Sequence, residues 1–259
     1  MTAAPTVLRP AKLGNAEGRN LHERIANTLG ERIVAGLHPP GSALPTEIEL
    51  CANLSVSRSA LREAFKLLAA KRLIVSRQKV GTLVRPRGEW NMLDPEVLAW
   101  HLRAAPSDGF VTGLFEIRKI IEPSAAALAA ERRSPEALAR IEAALGEMFR
   151  AQVGAGDLTG ADLRFHKAIL DATGNHFLAS FGAVIESSLI ASFHWSWHSG
   201  RHSPEYSLRK HQEVMEAIHD RNADGAHAAM TQLLRSAMED VQEGLQRRQR
   251  DKAAMAGAV

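Results

Sequence analysis

Val56-Ser57-Arg58-Ser59-Ala60-Leu61-Arg62-Glu63-Ala64-Phe65-Lys66-Leu67-Leu68 is the stretch on which the reading of this chain turns. Leu61, Phe65 and Leu68 recur at helical spacing, and Ala64 and Leu67 widen the same apolar stripe. Arg58 and Arg62 stand four apart, so a helix places both on one exposed side. Ser57 is positioned to cap the start by accepting from the first-turn N–H groups. Just upstream, Leu44 to Leu54 forms a second short amphipathic segment, with Pro45 and Thr46 as its start signal. Two short helices joined by the tight Asn53 to Ser57 connection fit a helix-turn-helix whose second helix enters the DNA major groove. An ordinary helical hairpin with solvated arginines fits these residues equally well, and the flanks decide between the two.

Upstream, Leu21, Ile25, Leu29, Ile33 and Leu37 form an i,i+4 series, a helix ended by Gly36 and Pro39-Pro40-Gly41. Downstream, the β-prone runs Leu73 to Ser76 and Thr82 to Val84 flank a basic turn containing Arg77, Lys79 and Gly81. Three helices and a basic hairpin make a winged helix-turn-helix, with Arg77 and Lys79 laid near phosphates or the minor groove. Charge agrees. Residues 1–90 hold 14 of the 32 Lys and Arg and 7 of the 29 Asp and Glu, a balance of +7; the remainder carries −4, which gives the net +3. A basic front and a mildly acidic back suggest that only the front meets a polyanion.

The run Pro40 to Glu47, then Val56-Ser57-Arg58, Leu61-Arg62-Glu63-Ala64 and Gly81-Thr82-Leu83-Val84, resembles the winged-helix domain of GntR-family transcription regulators. That resemblance implies that Arg58 and Arg62 contact bases and phosphates and that the Gly81 wing touches the minor groove. Ser57 and Ser59 beside the arginines, Thr82 beside Gly81, and Arg77 and Lys79 of the hairpin complete the expected DNA-binding set. Many members carry Arg after the Glu of this motif; here the position is Ile48, so the resemblance brings no DNA contact there.

The expected architecture is mainly α. A flexible tail covers 1–18, the winged helix-turn-helix 19–86 and a linker 87–95. An all-α effector-binding and dimerisation bundle covers 96–246, with a flexible tail at 247–259. Trp90, Met92 and Leu93 suggest that the linker docks, and Asp94-Pro95 opens a helix to about Arg103. Further helices are expected near Asp108–Arg132, Pro135–Gly154, Gly160–Thr173, His176–His198, Pro204–Asp220 and Ala223–Arg248. The single Cys51 excludes a disulfide framework and a cysteine-rich zinc site. No membrane span is expected, since no apolar run of about 18 residues is evident. Nor is there an N-terminal signal pattern, so a cytoplasmic protein is expected.

Asp162 and His166 share one helix face close to apolar Phe165 and Ile169, and His211 on a later helix is a candidate third member. One carboxylate with two imidazoles suits zinc or another divalent ion, or else a hydrogen-bonded core pair. Arg118 sits among apolar neighbours; it either pairs with Glu122 or captures a ligand carboxylate by two hydrogen bonds. Trp195, Trp197 and Ser207 are further candidate pocket residues.

Glu116-Ile117-Arg118 to Glu122-Pro123, Ala161 to His166 and Lys210-His211 resemble the FCD effector domain of the FadR subgroup. Glu89 to Asp94 with Val97-Leu98-Ala99-Trp100 is similar to the linker of galactonate-responsive repressors of that subgroup. The resemblance implies a metal held by Asp162, His166, His211 and a fourth His. Leu233 occupies that fourth position. It also implies an Arg118 that lines the effector pocket, a homodimer, double-stranded operator DNA and a small carboxylate or sugar-acid effector. An enzyme is disfavoured: there is no phosphate loop, nucleophile elbow or His-Glu-x-x-His helix, and no catalytic residue is proposed. A constitutive DNA-binding dimer without effector is the other alternative.

Overall fold

The computed structural model describes residues 21–104, 106–196 and 202–257. The chain divides into two compact units, Met1–Ala105 and Pro106–Val259. The expected 1–18 tail lies outside the described residues.

In the front unit, α1 (Leu21–Val34) buries Ile25, Leu29 and Ile33. Gly36, at φ +82°, ends the run, and Leu37 is exposed beyond the helix, so the fifth member of the apolar series is not core. Helix α2 (Glu47–Leu54) starts in a reciprocal cap: Thr46 accepts from Glu49 N–H, and Glu49 accepts from Thr46 N–H. Ser55, left-handed at φ +55°, turns the chain into α3 (Arg58–Ala70), which Ser57 caps. Leu61, Ala64, Phe65 and Leu68 face the core.

Strands β1 (Ile74–Arg77) and β2 (Gly81–Val84) pair antiparallel, with Ile74 opposite Val84 and Arg77 opposite Gly81. A third extended segment was not expected: Ala43 bridges to Leu83, Leu44 N–H donates to Thr82 O at 2.8 Å, and Val84 N–H donates to Ser42 O at 2.9 Å. Its neighbours Pro39-Pro40-Gly41 read as turn, and so short a run shows no alternation.

The linker docks as expected through Trp90, which is buried and donates from its indole to Arg85 O at 2.9 Å. Leu93 instead is exposed. Asp94 caps α4 (Pro95–Arg103) and accepts from Lys71 at 2.9 Å. Trp100 of α4 is wholly buried and donates to Asn27 of α1 at 2.6 Å. It lies so close to Gly30 that a Cβ there would fall 2.5 Å from the indole. These contacts hold 96–103, expected to open the rear domain, in the front unit, and the division falls after Ala105.

The rear unit is helical throughout its described residues: α5 (Asp108–Arg132), α6 (Pro135–Gln152), α7 (Leu158–Ala172), α8 (His176–Ala179), α9 (Gly182–Ser196), α10 (Pro204–His219) and α11 (Ala223–Gly257). Ser107, Ser134, Asp157 and Ser203 cap α5, α6, α7 and α10. The expected single helix from His176 breaks into α8 and α9. Ser180 donates its hydroxyl to His176 O at 3.0 Å, and Gly182 follows. The window His176–Phe193 does reach a mean hydropathy of 1.4, enough for a membrane span by composition, contrary to the sequence expectation. It is not one continuous helix, and Val184, Ile185 and Leu189 are buried within the bundle. Helix α11 continues past Arg248 to Gly257, where a flexible tail was expected, through a run in which the good helix formers Gln, Arg, Lys, Ala and Met outnumber Asp251 and the final Gly257.

Candidate effector cavity and nucleic-acid interface

The front unit presents its charged residues outward. Arg58, Ser59 and Arg62 are exposed on α3; Ser57 accepts from Ala60 N–H at 3.2 Å and lies 3.0 Å from the Ser59 hydroxyl. Arg62 Nε reaches Glu47 at 3.1 Å, a contact that sets the guanidinium across the start of α2. In the wing, Arg77 and Lys79 are exposed, Thr82 pairs opposite Ser76, and the turn needs left-handed backbone at Lys79 (φ +62°) and Gly81 (φ +99°). Ile48 is 66 % exposed.

The rear unit encloses a cavity of about 330 Å³, lined at its inner end by Arg118 of α5, Asp162 and His166 of α7, and His211 of α10. All four are buried. Asp162 Oδ1 lies 3.0 Å from His211 Nε2 and 3.2 Å from His166 Nε2. His211 Nδ1 faces Ser207 O at 2.8 Å, a carbonyl that only a protonated Nδ1 can satisfy. Neutral His211 then turns a lone pair on Nε2 toward a carboxylate oxygen, and a proton or a cation between the two resolves the conflict. His166 meets carboxylates at both ring nitrogens, Asp162 at Nε2 and Glu122 at Nδ1, the latter at 2.5 Å without hydrogen-bond alignment. One ligand atom from each of Asp162, His166 and His211 lies within 4.8 Å of the others, as a divalent ion requires.

Burial weakens the His166 imidazolium, but the Glu122 carboxylate, helped by Asp162, outweighs it and raises the pKa to about 9. Burial pushes the Glu122 carboxyl up, yet Arg118 and His166 hold it down at about 2. Burial likewise opposes the Asp162 charge, and His211 and His166 hold it well below the usual range. Arg118 is partly committed: Nε pairs with Glu122, Nη1 donates to Ser188 at 3.0 Å, and Nη2 lies 3.4 Å from His166 Nε2. Its five N–H groups exceed the two acceptors, Glu122 and Ser188, so donors remain for a ligand in the cavity.

Models of two protein families match the chain: the bacterial regulatory proteins of the gntR family over residues 21–84 and the FCD domain over residues 113–236. The galactonate operon transcriptional repressor of Escherichia coli K12 is 36 % identical over 224 residues, covering 86 % of this chain and 98 % of that one. The regulator LutR of Bacillus subtilis is 32 % identical, covering 79 % and 93 %. The chain belongs to the GntR family. It is a ligand-responsive DNA-binding regulator with an FCD domain, not an enzyme. The solved structure of Lar from Listeria monocytogenes shares the fold, with a TM-score of 0.61 at 19 % identity over 88 % of this chain and 99 % of that one.

Within this GntR regulator the structure brings Arg118, Asp162, His166, His211 and Ser207 to one cavity, and Leu233 lines it too. The side chains of Trp195 and Trp197 lie outside the described residues. Glu122 was read only as a local partner of Arg118, whereas it also reaches His166 on α7. Ser188, His202, Tyr206 and Asp240 were missed. Tyr206 one residue before Ser207 was the one available signal, and nothing local marks the others.

Proposed function

We propose that this protein is a repressor of sugar-acid catabolism that acts in the cytoplasm as a homodimer and leaves its operator when the rear cavity binds a small hydroxy acid of the galactonate type. The observation that carries this is a closed polar constellation, Arg118 with Asp162, His166 and His211, in a cavity of metabolite size, about 330 Å³. The similarity to a galactonate operon repressor over nearly that protein's whole length supports the same class of ligand.

Arg118 binds the carboxylate through its spare N–H groups while Glu122 and Ser188 hold the guanidinium in place. Trp195 and Trp197 belong to the proposed pocket by their place in the chain, as does Ser207 on α10. The donor set fits a divalent metal such as zinc. Asp162, His166 and His211 would hold it, with Ser207 O fixing the His211 ring and Glu122 the His166 ring. Such an ion supplies Lewis-acid binding of the acid's oxygens. Leu233 adds no ligand, so coordination positions stay free for the effector.

In the front unit Ser57, Arg58, Ser59 and Arg62 enter the major groove, and Arg77, Lys79, Gly81 and Thr82 follow the adjacent backbone and minor groove. Effector binding shifts the population between dimer geometries, so that two recognition helices no longer match half-sites about one DNA turn apart. Calorimetric titration of the purified protein with galactonate, with and without zinc, tests the reading. Saturable binding that is lost in His211→Ala supports it; heat-silent titrations under both conditions refute it.

A further inference from the structure

We propose that the outer end of the rear cavity is a second polar subsite, formed by His202, Tyr206, Ser236 and Asp240, which binds the hydroxylated tail of an extended acid and so selects its chain length. The proposal rests on the effector reading above, in which the acid's carboxylate lies at the Arg118 end.

His202 Nδ1 pairs with Asp240 at 2.9 Å, and each side chain is 19 % exposed. The Tyr206 ring stacks on His202, with centroids 4.7 Å apart and planes 18° from parallel. The Tyr206 hydroxyl lies 3.5 Å from that of Ser236. All four residues line the same cavity as Arg118, Asp162 and His211. They serve neither the anion nor the metal donor set, so the carboxylate end gives them no purpose. Leu208, Leu233 and Leu234 line the cavity as well and supply its apolar wall.

These contacts tie the start of α10, and the residue before its cap, to α11 in antiparallel order, 206 with 236 and 202 with 240. Tyr206 precedes His211 by five residues of α10, about 7.5 Å along the helix at 1.5 Å per residue, and Asp240 follows Leu233 by seven residues of α11, about 10 Å by the same measure. The second polar group therefore lies one to two helical turns beyond the first. A six-carbon aldonate held by its carboxylate at Arg118 carries hydroxylated carbons into that stretch, whereas a three-carbon acid ends at its third carbon and has none to place there.

The chemistry also suits a polyol tail. Asp240 accepts from ligand hydroxyls, and the Ser236 and Tyr206 hydroxyls can donate or accept. The rings of Tyr206 and His202 cover C–H edges of the chain, and the leucines cover the middle.

The test is calorimetric titration of the full chain with galactonate, a six-carbon aldonate, and with glycerate, its three-carbon counterpart. Wild type is compared with Asp240→Ala, Asp240→Asn and Tyr206→Phe. The subsite predicts that wild type prefers galactonate. It predicts that Asp240→Ala weakens galactonate binding by about tenfold to a hundredfold, the range for a hydrogen bond to a charged group. Glycerate binding should stay within about twofold, given that it never reaches Asp240. The near-isosteric Asp240→Asn and the single-hydroxyl deletion Tyr206→Phe carry the comparison if the alanine variant does not fold. Equal losses for both acids, no loss for either, or no preference in wild type overturn the subsite and leave the effector reading standing. Wild type that binds neither acid overturns both.

Discussion

Replacing Glu122 with Gln, which keeps the shape and removes the charge, should destabilise the metal-free rear unit in a pH-dependent way. Glu122 is 2 % exposed and sits between Arg118 and His166, also 2 % exposed each. Its carboxylate is the main charge that lifts His166 from 6.5 to about 9 against the opposing effect of burial. At about 1.36 kcal/mol per pH unit, that difference corresponds to about 3 kcal/mol, with no discount for solvent because the groups are buried. A group raised in the folded state contributes fully below its unfolded value, so His166 contributes about 3 kcal/mol below pH 6.5, and the contribution is lost as the pH rises through about 9. The Glu122 contribution has the opposite sense: it is present above pH 4.5 and lost as the pH falls toward 2. For a unit of this size, 1 kcal/mol moves Tm by about 2–4 °C, so chelator-treated Glu122→Gln should melt about 5–10 °C below wild type at pH 6.5. The gap should narrow by pH 9.5. Thermal melts followed by circular dichroism across pH 5 to 9.5 check this. A gap under about 2 °C at pH 6.5, where at least one kcal/mol would give more, or one that does not narrow, refutes the charge network.

Arg58→Ala and Arg62→Ala should each weaken operator binding by about 1–3 kcal/mol, or about fivefold to 150-fold, without altering the elution volume of the protein. Unchanged gel-shift midpoints would remove α3 from the groove. Gly30→Ala should cost the front unit about 1–3 kcal/mol in urea denaturation, because the new Cβ meets Trp100 at 2.5 Å. An unshifted midpoint would mean that α4 does not pack on α1 as described. Leu233→His should tighten zinc binding at least about tenfold in competition with a chelating dye, by completing four ligands. No gain would place residue 233 outside the metal's reach.

The helices α1, α3 and α5 were legible in the sequence because their apolar spacing is local and their caps are short-range. Asp162 and His166 were legible for the same reason, being one turn apart. What escaped depends on contacts between distant segments. The place of α4 is decided by Trp100 meeting Asn27 and Gly30, some seventy residues earlier, so its periodicity alone left it in the rear domain. Glu122 reads as the i+4 partner of Arg118, and its second contact exists only once α5 and α7 are packed. His202 and Asp240 lie 38 residues apart, one just before α10 and the other on α11, and neither carries a local signal. The break between α8 and α9 is a local backbone departure, with Phe181 N–H bonded to Leu178 O three residues back, which no apolar pattern encodes.

The most direct test of the central claim is fluorescence anisotropy of a labelled operator duplex, selected from a random pool by the protein itself, while galactonate is titrated at fixed protein. The account predicts saturable release of the duplex by wild type. It predicts that Arg118→Ala, still bound to the duplex, is not released at concentrations that empty wild type from it. A wild-type complex that survives galactonate saturating by calorimetry, or an Arg118→Ala complex that dissociates with the wild-type midpoint, would contradict it.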